Sequence, residues 1–229
     1  MLEVKALNVG YGLSQVIHEA TFGAAKGEIL AIMGRNGMGK TTLLKSLLGI
    51  IGSKSGSVKV DGVEVTGMPS HKRVRSGLAF VPQGRMIFST LTVLENLVSG
   101  APGAVAKSAF DEIYALFPVL HEMRKRKGGN LSGGQQQQLA IGRALITNPK
   151  VLVLDEPTEG IQPSIIKDIA KALREIRKLR DLTIVVSEQV VSFMMEVCDR
   201  VLVIDRGRFV HEAGRENLDA GKVKRLLAV

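Results

Sequence analysis

The stretch Glu28-Ile-Leu-Ala-Ile-Met33-Gly34-Arg-Asn-Gly-Met-Gly-Lys40-Thr41 decides the fold of this 229-residue chain. Its first half is an apolar run typical of a buried strand, and its second half is a glycine-rich loop followed by a helical pattern over 41–48. The loop fits G-x-x-x-x-G-K-[ST], in which backbone N–H groups at the start of a helix cradle phosphate oxygens. Strand, loop and helix in this order are the context that the pattern requires. We therefore predict a phosphate-binding loop.

The residues of this loop have separate predicted roles. Lys40 is expected to reach the β- and γ-phosphates of ATP, and the Thr41 hydroxyl is expected to ligate Mg²⁺. The remaining loop positions are predicted to contact the nucleotide mainly through their backbone; they are Gly34, Arg35, Asn36, Gly37, Met38, Gly39 and Thr42.

A second run, Val151-Leu-Val-Leu-Asp155-Glu156, supplies two adjacent carboxylates at the end of an apolar strand pattern. Burying two carboxylates is costly unless a cation or a reacting water uses them. Asp155 is predicted to hold Mg²⁺, and Glu156 is predicted to act as the general base that activates the attacking water. Together with Lys40, these residues indicate an ATPase.

The order of predicted elements indicates an α/β fold. Apolar, β-branched runs typical of short strands alternate with helical patterns, which favours a parallel sheet covered on both faces; the further runs are 78–81, 151–154, 183–186 and 201–204. A long amphipathic helix is predicted over 163–180. Residues from about 86 to 146 break this alternation and read as mainly helical, with an apolar stripe at Ala109, Phe110, Ile113, Leu116 and Phe117. We predict one domain over 1–229, with a core of 1–85 and 147–229 and an inserted helical subdomain.

Composition narrows the function classes. The formal net charge of +9 is compatible with nucleic acid, an anionic membrane surface or a polyphosphate ligand. The basic residues are scattered, aromatic residues make up 4% of the chain and tryptophan is absent, so base-stacking platforms are poorly supplied and no nucleic-acid partner is predicted. The single cysteine, Cys198, is expected to be an inert core residue.

The run Leu131-Ser-Gly-Gly-Gln135, about twenty residues before Asp155, resembles the signature sequence of ABC-transporter nucleotide-binding domains. With the motifs above in that family's order, the resemblance covers the whole chain. It implies a P-loop NTPase fold of ABC type with a mainly parallel core sheet, a small N-terminal antiparallel β region and an inserted helical subdomain. It also implies head-to-tail pairing, in which the signature residues contact the nucleotide of the partner; these residues are Ser132, Gly133, Gly134 and Gln135.

Further positions follow from the same resemblance. Tyr11 looks like the aromatic residue that stacks on adenine, although a partly buried core tyrosine is the alternative. Val16 is also placed against the nucleotide. Gln83 resembles the glutamine that contacts Mg²⁺ and the attacking water and that couples the γ-phosphate to the helical subdomain. The apolar trio at 86–88 lies either near a membrane partner or in the core.

Two positions depart from the common family pattern. Gln189 stands where many members have histidine, so imidazole acid–base chemistry is not available there, but the amide can still donate a hydrogen bond to the γ-phosphate and is predicted to belong to the catalytic set. Gln162 stands where the loop after Glu156 usually ends in aspartate, which leaves the contacts of that loop across the dimer open.

These departures resemble the branched-chain amino-acid transporter group, in particular its LivF-like second ATPase subunit. The runs Val81-Pro-Gln-Gly-Arg85 and Asp155-Glu-Pro-Thr-Glu-Gly-Ile-Gln-Pro-Ser-Ile-Ile-Lys-Asp168, with the signature and its glutamines through Gln138, are most similar to the UrtE-type subunit of its urea branch. The resemblance implies a urea-importer ATPase. The alternatives are a branched-chain amino-acid importer ATPase, a soluble ABC ATPase acting on nucleic acid or ribosomes, and a subunit that binds ATP without hydrolysing it.

The resemblance also implies partners. These are a second, different ATPase subunit (a homodimer being the alternative), two transmembrane permeases and, indirectly, an extracytoplasmic solute-binding protein. The N-terminal residues show no signal-peptide pattern, and no apolar run approaches the roughly 20 residues that span a bilayer. We therefore expect a peripheral protein at the cytoplasmic face of the inner membrane.

Overall fold

The computed structural model describes residues 1–101 and 103–228. Its strands in chain order are β1 (Leu2–Tyr11), β2 (Ser14–Ala24), β3 (Ile29–Met33), β4 (Ser53–Val60), β5 (Val63–Glu64), β6 (Leu78–Val81), β7 (Val151–Asp155), β8 (Thr183–Glu188), β9 (Arg200–Asp205) and β10 (Arg208–Gly214). Its helices are α1 (Lys40–Leu47), α2 (Ser70–Arg75), α3 (Val93–Ser99), α4 (Lys107–Leu116), α5 (Pro118–Glu122), α6 (Gly133–Leu145), α7 (Pro163–Arg180), α8 (Val191–Val197) and α9 (Ala220–Ala228).

The strands form two sheets. One is antiparallel with the order β2-β1-β4-β5, and the other has the order β10-β9-β3-β8-β7-β6. Strands β6, β7, β8, β3 and β9 run parallel, and only the edge strand β10 is antiparallel. The predicted α/β class, with a mainly parallel core and an N-terminal antiparallel region, is confirmed.

Strand β3 lies at the centre of the larger sheet, and all five of its residues are buried. Alternate side chains of a strand point to opposite faces. Accordingly Ile29, Ala31 and Met33 pack into one apolar cluster, whereas Leu30 and Ile32 pack into the other. Burial on both faces explains why this strand reads as a continuous apolar run, and it fixes the point from which the glycine-rich loop emerges.

Helix α1, which follows that loop, is held at its far end by a buried arginine. Arg73 of α2 is 2% exposed, and its guanidinium donates to the carbonyls of Ser46 and Leu47 at 2.9 Å each. The last carbonyls of a helix have no partner within the helix, so these bonds satisfy them. Burial lowers the pKa of Arg73.

Helices α3 to α6 lie between β6 and β7 and pack against one another. Of the predicted apolar stripe, Ile113 and Phe117 are fully buried, and Ala109, Phe110 and Leu116 pack around the same cluster. Close approach is possible because Gly142 of α6 has no side chain. A Cβ there would lie 3.0 Å from Ile113 and 3.2 Å from Leu97.

Helix α7 has the predicted bounds. Its buried face contains Ile169, Leu173 and Ile176, as the periodicity indicates. On its polar face Arg174 is half-buried and pairs with Glu196 at 2.9 Å. Within the ranges that the structure describes, none of the helices is both long and apolar enough to cross a bilayer.

Cys198 follows α8 and is fully buried, as predicted. Burial raises the pKa of its thiol to about 11, and the thiolate is the reactive form of cysteine. We expect a thiol reagent such as DTNB to leave the native chain unmodified at neutral pH and to titrate one thiol per chain after unfolding in guanidinium chloride. Reaction of the native chain at the rate of free cysteine would contradict this assignment.

Candidate nucleotide-binding site

The glycine-rich loop closes around the side chain of Lys40. Its ammonium donates to the carbonyl oxygens of Gly34 at 2.6 Å and Arg35 at 3.1 Å, and it pairs with Glu156 at 3.0 Å. Gly39, directly before α1, has φ +104°, and a Cβ there would lie 2.7 Å from Ile17. Only glycine fits this backbone and this contact.

A cavity of about 310 Å³ opens over the loop. Its lining combines loop backbone, hydroxyls, two side-chain amides and the Lys40–Glu156 pair, and consists of Val16, Arg35, Asn36, Gly37, Gly39, Lys40, Thr41, Thr42, Gln83 and Glu156. The structure thus brings together residues from four distant parts of the sequence that were predicted to share one site. Two predicted loop residues are absent from the lining. Gly34 lies below the loop against Ile204, and the Met38 sulfur accepts from the backbone N–H of Arg206 at 3.4 Å.

The two carboxylates at the end of β7 differ in their surroundings. Asp155 is 1% exposed, and its Oδ1 accepts from the Ser187 hydroxyl at 2.6 Å, whereas its Oδ2 is buried and has no hydrogen-bond partner among the residues that the structure describes. Burial raises the pKa of Asp155, and the Ser187 bond offsets only part of that effect. A buried carboxylate oxygen with no partner is costly unless a cation binds it.

The donor set around Asp155 fits Mg²⁺. Hard divalent cations prefer oxygen ligands and keep several waters. The Oδ2 of Asp155 is such a ligand, and the Thr41 hydroxyl lies against the Asp155 carboxylate. Thr41 and Gln83 line the cavity, whereas Asp155 is not among its lining residues.

Glu156 is held in a fixed orientation. Its backbone has φ +47°, in the left-handed region, and its N–H donates to the Ser187 carbonyl at 3.0 Å. Its carboxylate accepts from Lys40 and, at 3.1 Å, from the amide of Gln189. A non-glycine residue in this conformation is strained, and such strain concentrates at functional sites.

Gln189 connects the loop to Glu156. Its Nε2 also donates to the Asn36 side chain at 2.7 Å. Gln189 therefore links the glycine-rich loop to Glu156, and its hydrogen bond to the γ-phosphate stays a prediction.

Three polar residues of this region were not predicted from the sequence, namely Ser187, Glu188 and Thr158. Ser187 fixes both Asp155 and the Glu156 backbone, as described above. Glu188 is 2% exposed, accepts a short hydrogen bond from Thr158 and has a pKa that burial raises to about 7. The signal for Ser187 and Glu188 in the sequence is that these two polar residues end the apolar strand pattern of β8.

Gln83 lies just beyond β6 at the rim of the cavity. Its Nε2 donates to the Glu159 carboxylate at 2.9 Å. This exposed contact links it to the segment after Glu156. Farther along, Met86 and Phe88 are 66% and 51% exposed, whereas Ile87 packs against the core. The core alternative therefore holds for Ile87, and a place near a membrane partner stays a prediction for the exposed Met86 and Phe88.

Tyr11 lies at the other rim. It is 53% exposed, and its hydroxyl lies 3.5 Å from that of Thr42. This exposure excludes the alternative of a core tyrosine, and stacking of the ring on adenine stays a prediction.

The signature residues lie apart from this cavity. Ser132 and Gln135 form a reciprocal cap at the start of α6, with bonds of 3.3 and 2.9 Å between the side chain of each and the backbone N–H of the other. None of residues 132–135 is among those that line the cavity of the same chain.

Comparison with known proteins identifies relatives over nearly the full length. The sequence pattern of the ABC transporter family matches residues 17–159. The high-affinity branched-chain amino acid transport ATP-binding protein BraG of Pseudomonas aeruginosa is 39% identical over 228 residues, covering 98% of this chain and 97% of that protein. The probable branched-chain amino acid transport ATP-binding protein LivF of Archaeoglobus fulgidus is 38% identical, covering 91% and 89%. The crystal structure of a nucleotide-free ATP-binding cassette from an ABC transporter superposes with a TM-score of 0.84 at 25% identity, covering 100% and 95%.

Proposed function

This chain belongs to the ABC transporter family and is an ATPase, and on that premise we propose that it energises the import of branched-chain amino acids. The observation that carries this choice of solute is the 39% identity to BraG over nearly the whole of both chains. LivF supports the same choice at 38% identity.

Urea remains a second candidate solute. The sequence runs through Arg85, Gln138 and Asp168 resemble the urea branch, but the relatives reported above favour the amino-acid alternative over that prediction. The solute site lies in other subunits in this arrangement, so the residues of this chain carry no direct information on it.

The proposed catalytic cycle begins with an exchange of partners at Lys40. Lys40 pairs with the nearly buried Glu156 at 3.0 Å. The phosphates of ATP offer the ammonium a stronger partner, because a polyphosphate carries more charge than one carboxylate. Release of Lys40 then frees Glu156 to accept a proton from the attacking water as general base.

Positioning around the γ-phosphate comes from residues already in place. Thr41, Asp155 and Gln83 would hold Mg²⁺, which supplies charge neutralisation to the phosphate oxygens when bound. Gln189 cannot take a proton, so its role is to donate a hydrogen bond and to fix Glu156 and Asn36. Tyr11 would stack on the adenine.

A second ATPase subunit completes the site. The capped start of α6 presents Ser132 and the glycine backbone outside the cavity of its own chain. These groups suit a phosphate, because the start of a helix offers unpaired N–H donors. We therefore place residues 132–135 over the nucleotide of a partner, which we take to be a second, different ATPase.

Coupling to transport would use the helical subdomain, residues 86–146. We propose that it moves when Gln83 engages the nucleotide, and that the exposed side chains of Met86 and Phe88 contact a permease. Burying such side chains on a partner gains roughly 25 cal/mol per Å² of apolar surface. The chain would then act as a peripheral subunit at the cytoplasmic face of the membrane, with two permeases and an extracytoplasmic binding protein.

The test is labelled uptake in the native host after chromosomal Lys40→Ala replacement. We expect leucine uptake from low external concentration to be lost and urea uptake to stay intact, because losing Lys40 stops only the transporter that this chain energises. Lys45→Ala, which removes the same charge at the other end of α1, is the matched control and should retain uptake. Loss of urea uptake with intact leucine uptake would move the assignment to the urea branch, and intact uptake of both would contradict the transport role.

A further inference from the structure

Arg85, in the segment after β6, contacts two functional segments at once. Its Nη2 donates to the backbone carbonyl of Glu159 at 3.4 Å. A Cβ on Gly133 would lie only 3.2 Å from each of its terminal nitrogens, so the guanidinium rests against the first residue of α6. Any side chain at Gly133 would push it away. Arg85 thus lies between the segment after Glu156 and the signature residues.

Gln83 also binds Glu159, but through the side-chain carboxylate and not through the backbone carbonyl. Its amide donates to the Glu159 carboxylate at 2.9 Å, while Arg85 binds the Glu159 carbonyl. A movement of Gln83 toward the nucleotide breaks the first bond. Glu159 is then no longer held by Gln83. The bond from Arg85 to the Glu159 carbonyl is therefore less firmly fixed, and so is the position of the guanidinium against Gly133.

The backbone between these side chains is strained. Gly84, Arg85 and Met86 have consecutive φ values of +80°, +68° and +46°. Two of the three are not glycine, and left-handed backbone is costly for such residues unless the surroundings enforce it. Arg143 of α6 holds this backbone in place by donating to the Met86 carbonyl at 2.7 Å. The far end of the segment is therefore fixed to α6, whereas the Gln83 side chain is held only by its exposed contact with Glu159 among the described side chains.

We propose that Arg85 is a positioning residue that passes a displacement of Gln83 to the signature residues at the start of α6. The inference rests on the proposed function, in which Gln83 responds to the γ-phosphate of its own site and residues 132–135 serve the site of the partner. Arg85 then links the occupancy of one site to the geometry of the other without touching either nucleotide.

The test is amide hydrogen exchange of the full chain with and without Mg-ATP, at a protein concentration where light scattering gives the monomer mass. All compared chains carry Glu156→Gln, which removes the proposed general base so that ATP is not hydrolysed, and the chain with this change alone is called the parent. In the parent we expect ATP to protect residues 34–42 and to change exchange over 131–136. Adding Arg85→Ala should abolish the change over 131–136 and leave the protection of 34–42 in place. Arg85→Lys should retain part of it, because lysine keeps the charge without the planar fork.

Arg75→Ala is the control for loss of one exposed arginine, and both responses should persist in it. A signature response that survives Arg85→Ala, or that is already absent in the parent, would overturn the inference. Equal loss in Arg75→Ala, or loss of protection over 34–42 in Arg85→Ala, would overturn it as well. Absence of protection over 34–42 in the parent would contradict the proposed function itself, which separates the two failures. Matching melting curves exclude unfolding of the variants.

Discussion

We expect Lys40→Ala to bind ATP about a hundredfold more weakly than the unaltered chain, because a charge-assisted bond to phosphate is worth roughly 3 kcal/mol. The ammonium is 4% exposed and fixed over the loop by two carbonyls, so it is already oriented when the nucleotide arrives. Titration with a fluorescent ATP analogue measures the loss. Lys45→Ala should bind as the unaltered chain does.

The same variant separates binding from stability. Removing Lys40 leaves Glu156 nearly buried without its cation, with Gln189 as its remaining side-chain partner. Leaving a buried charge unpaired is destabilising, so the nucleotide-free variant should melt at a lower temperature. ATP should restore little of that stability, because stabilisation by a ligand follows its affinity. Normal affinity in a folded Lys40→Ala chain would contradict the assigned role of the lysine.

The parts of this site that could be predicted from the sequence are those whose residues lie next to one another in the chain. Gly34 to Thr41 form one turn between a strand and a helix, and Asp155 and Glu156 lie at the end of a strand. The local sequence pattern is therefore sufficient to predict the geometry of each stretch. Apolar runs identified β3 and β7 for the same reason, since strands buried on both faces cannot alternate. The parallel arrangement then placed both strand ends at one edge.

The remaining contacts depend on the order of strands, which no local pattern contains. β8 lies between β3 and β7, and this position alone brings Gln189 to Asn36 and Ser187 to Asp155. The left-handed backbone of Glu156 and Arg85 could not be predicted either. Non-glycine residues adopt it only where tertiary contacts enforce it.

We expect Glu156→Gln to bind ATP with near-normal affinity and to lose turnover by about 10²- to 10⁴-fold, the contribution typical of a general base. Glutamine has the same shape, so Lys40 can still donate to its side-chain oxygen, and the left-handed backbone at φ +47° is already enforced by the β8 contacts. What the amide lacks is a site that accepts a proton from water. Phosphate release by the assembled transporter, with ATP binding measured in parallel, gives both quantities.

Glu175→Gln on the exposed face of α7 makes the same chemical change away from the site and should hydrolyse ATP normally. A second readout distinguishes loss of the base from loss of the fold. If ATP pairs the subunits and hydrolysis separates them, Glu156→Gln should accumulate as an ATP-bound pair, whereas an unfolded variant should not pair at all. Near-normal hydrolysis by Glu156→Gln in the assembled complex would remove Glu156 from the role of base. Another group would then have to take the proton. Of the neighbouring carboxylates, Asp155 accepts from the Ser187 hydroxyl, and Glu188 is 2% exposed and accepts from Thr158.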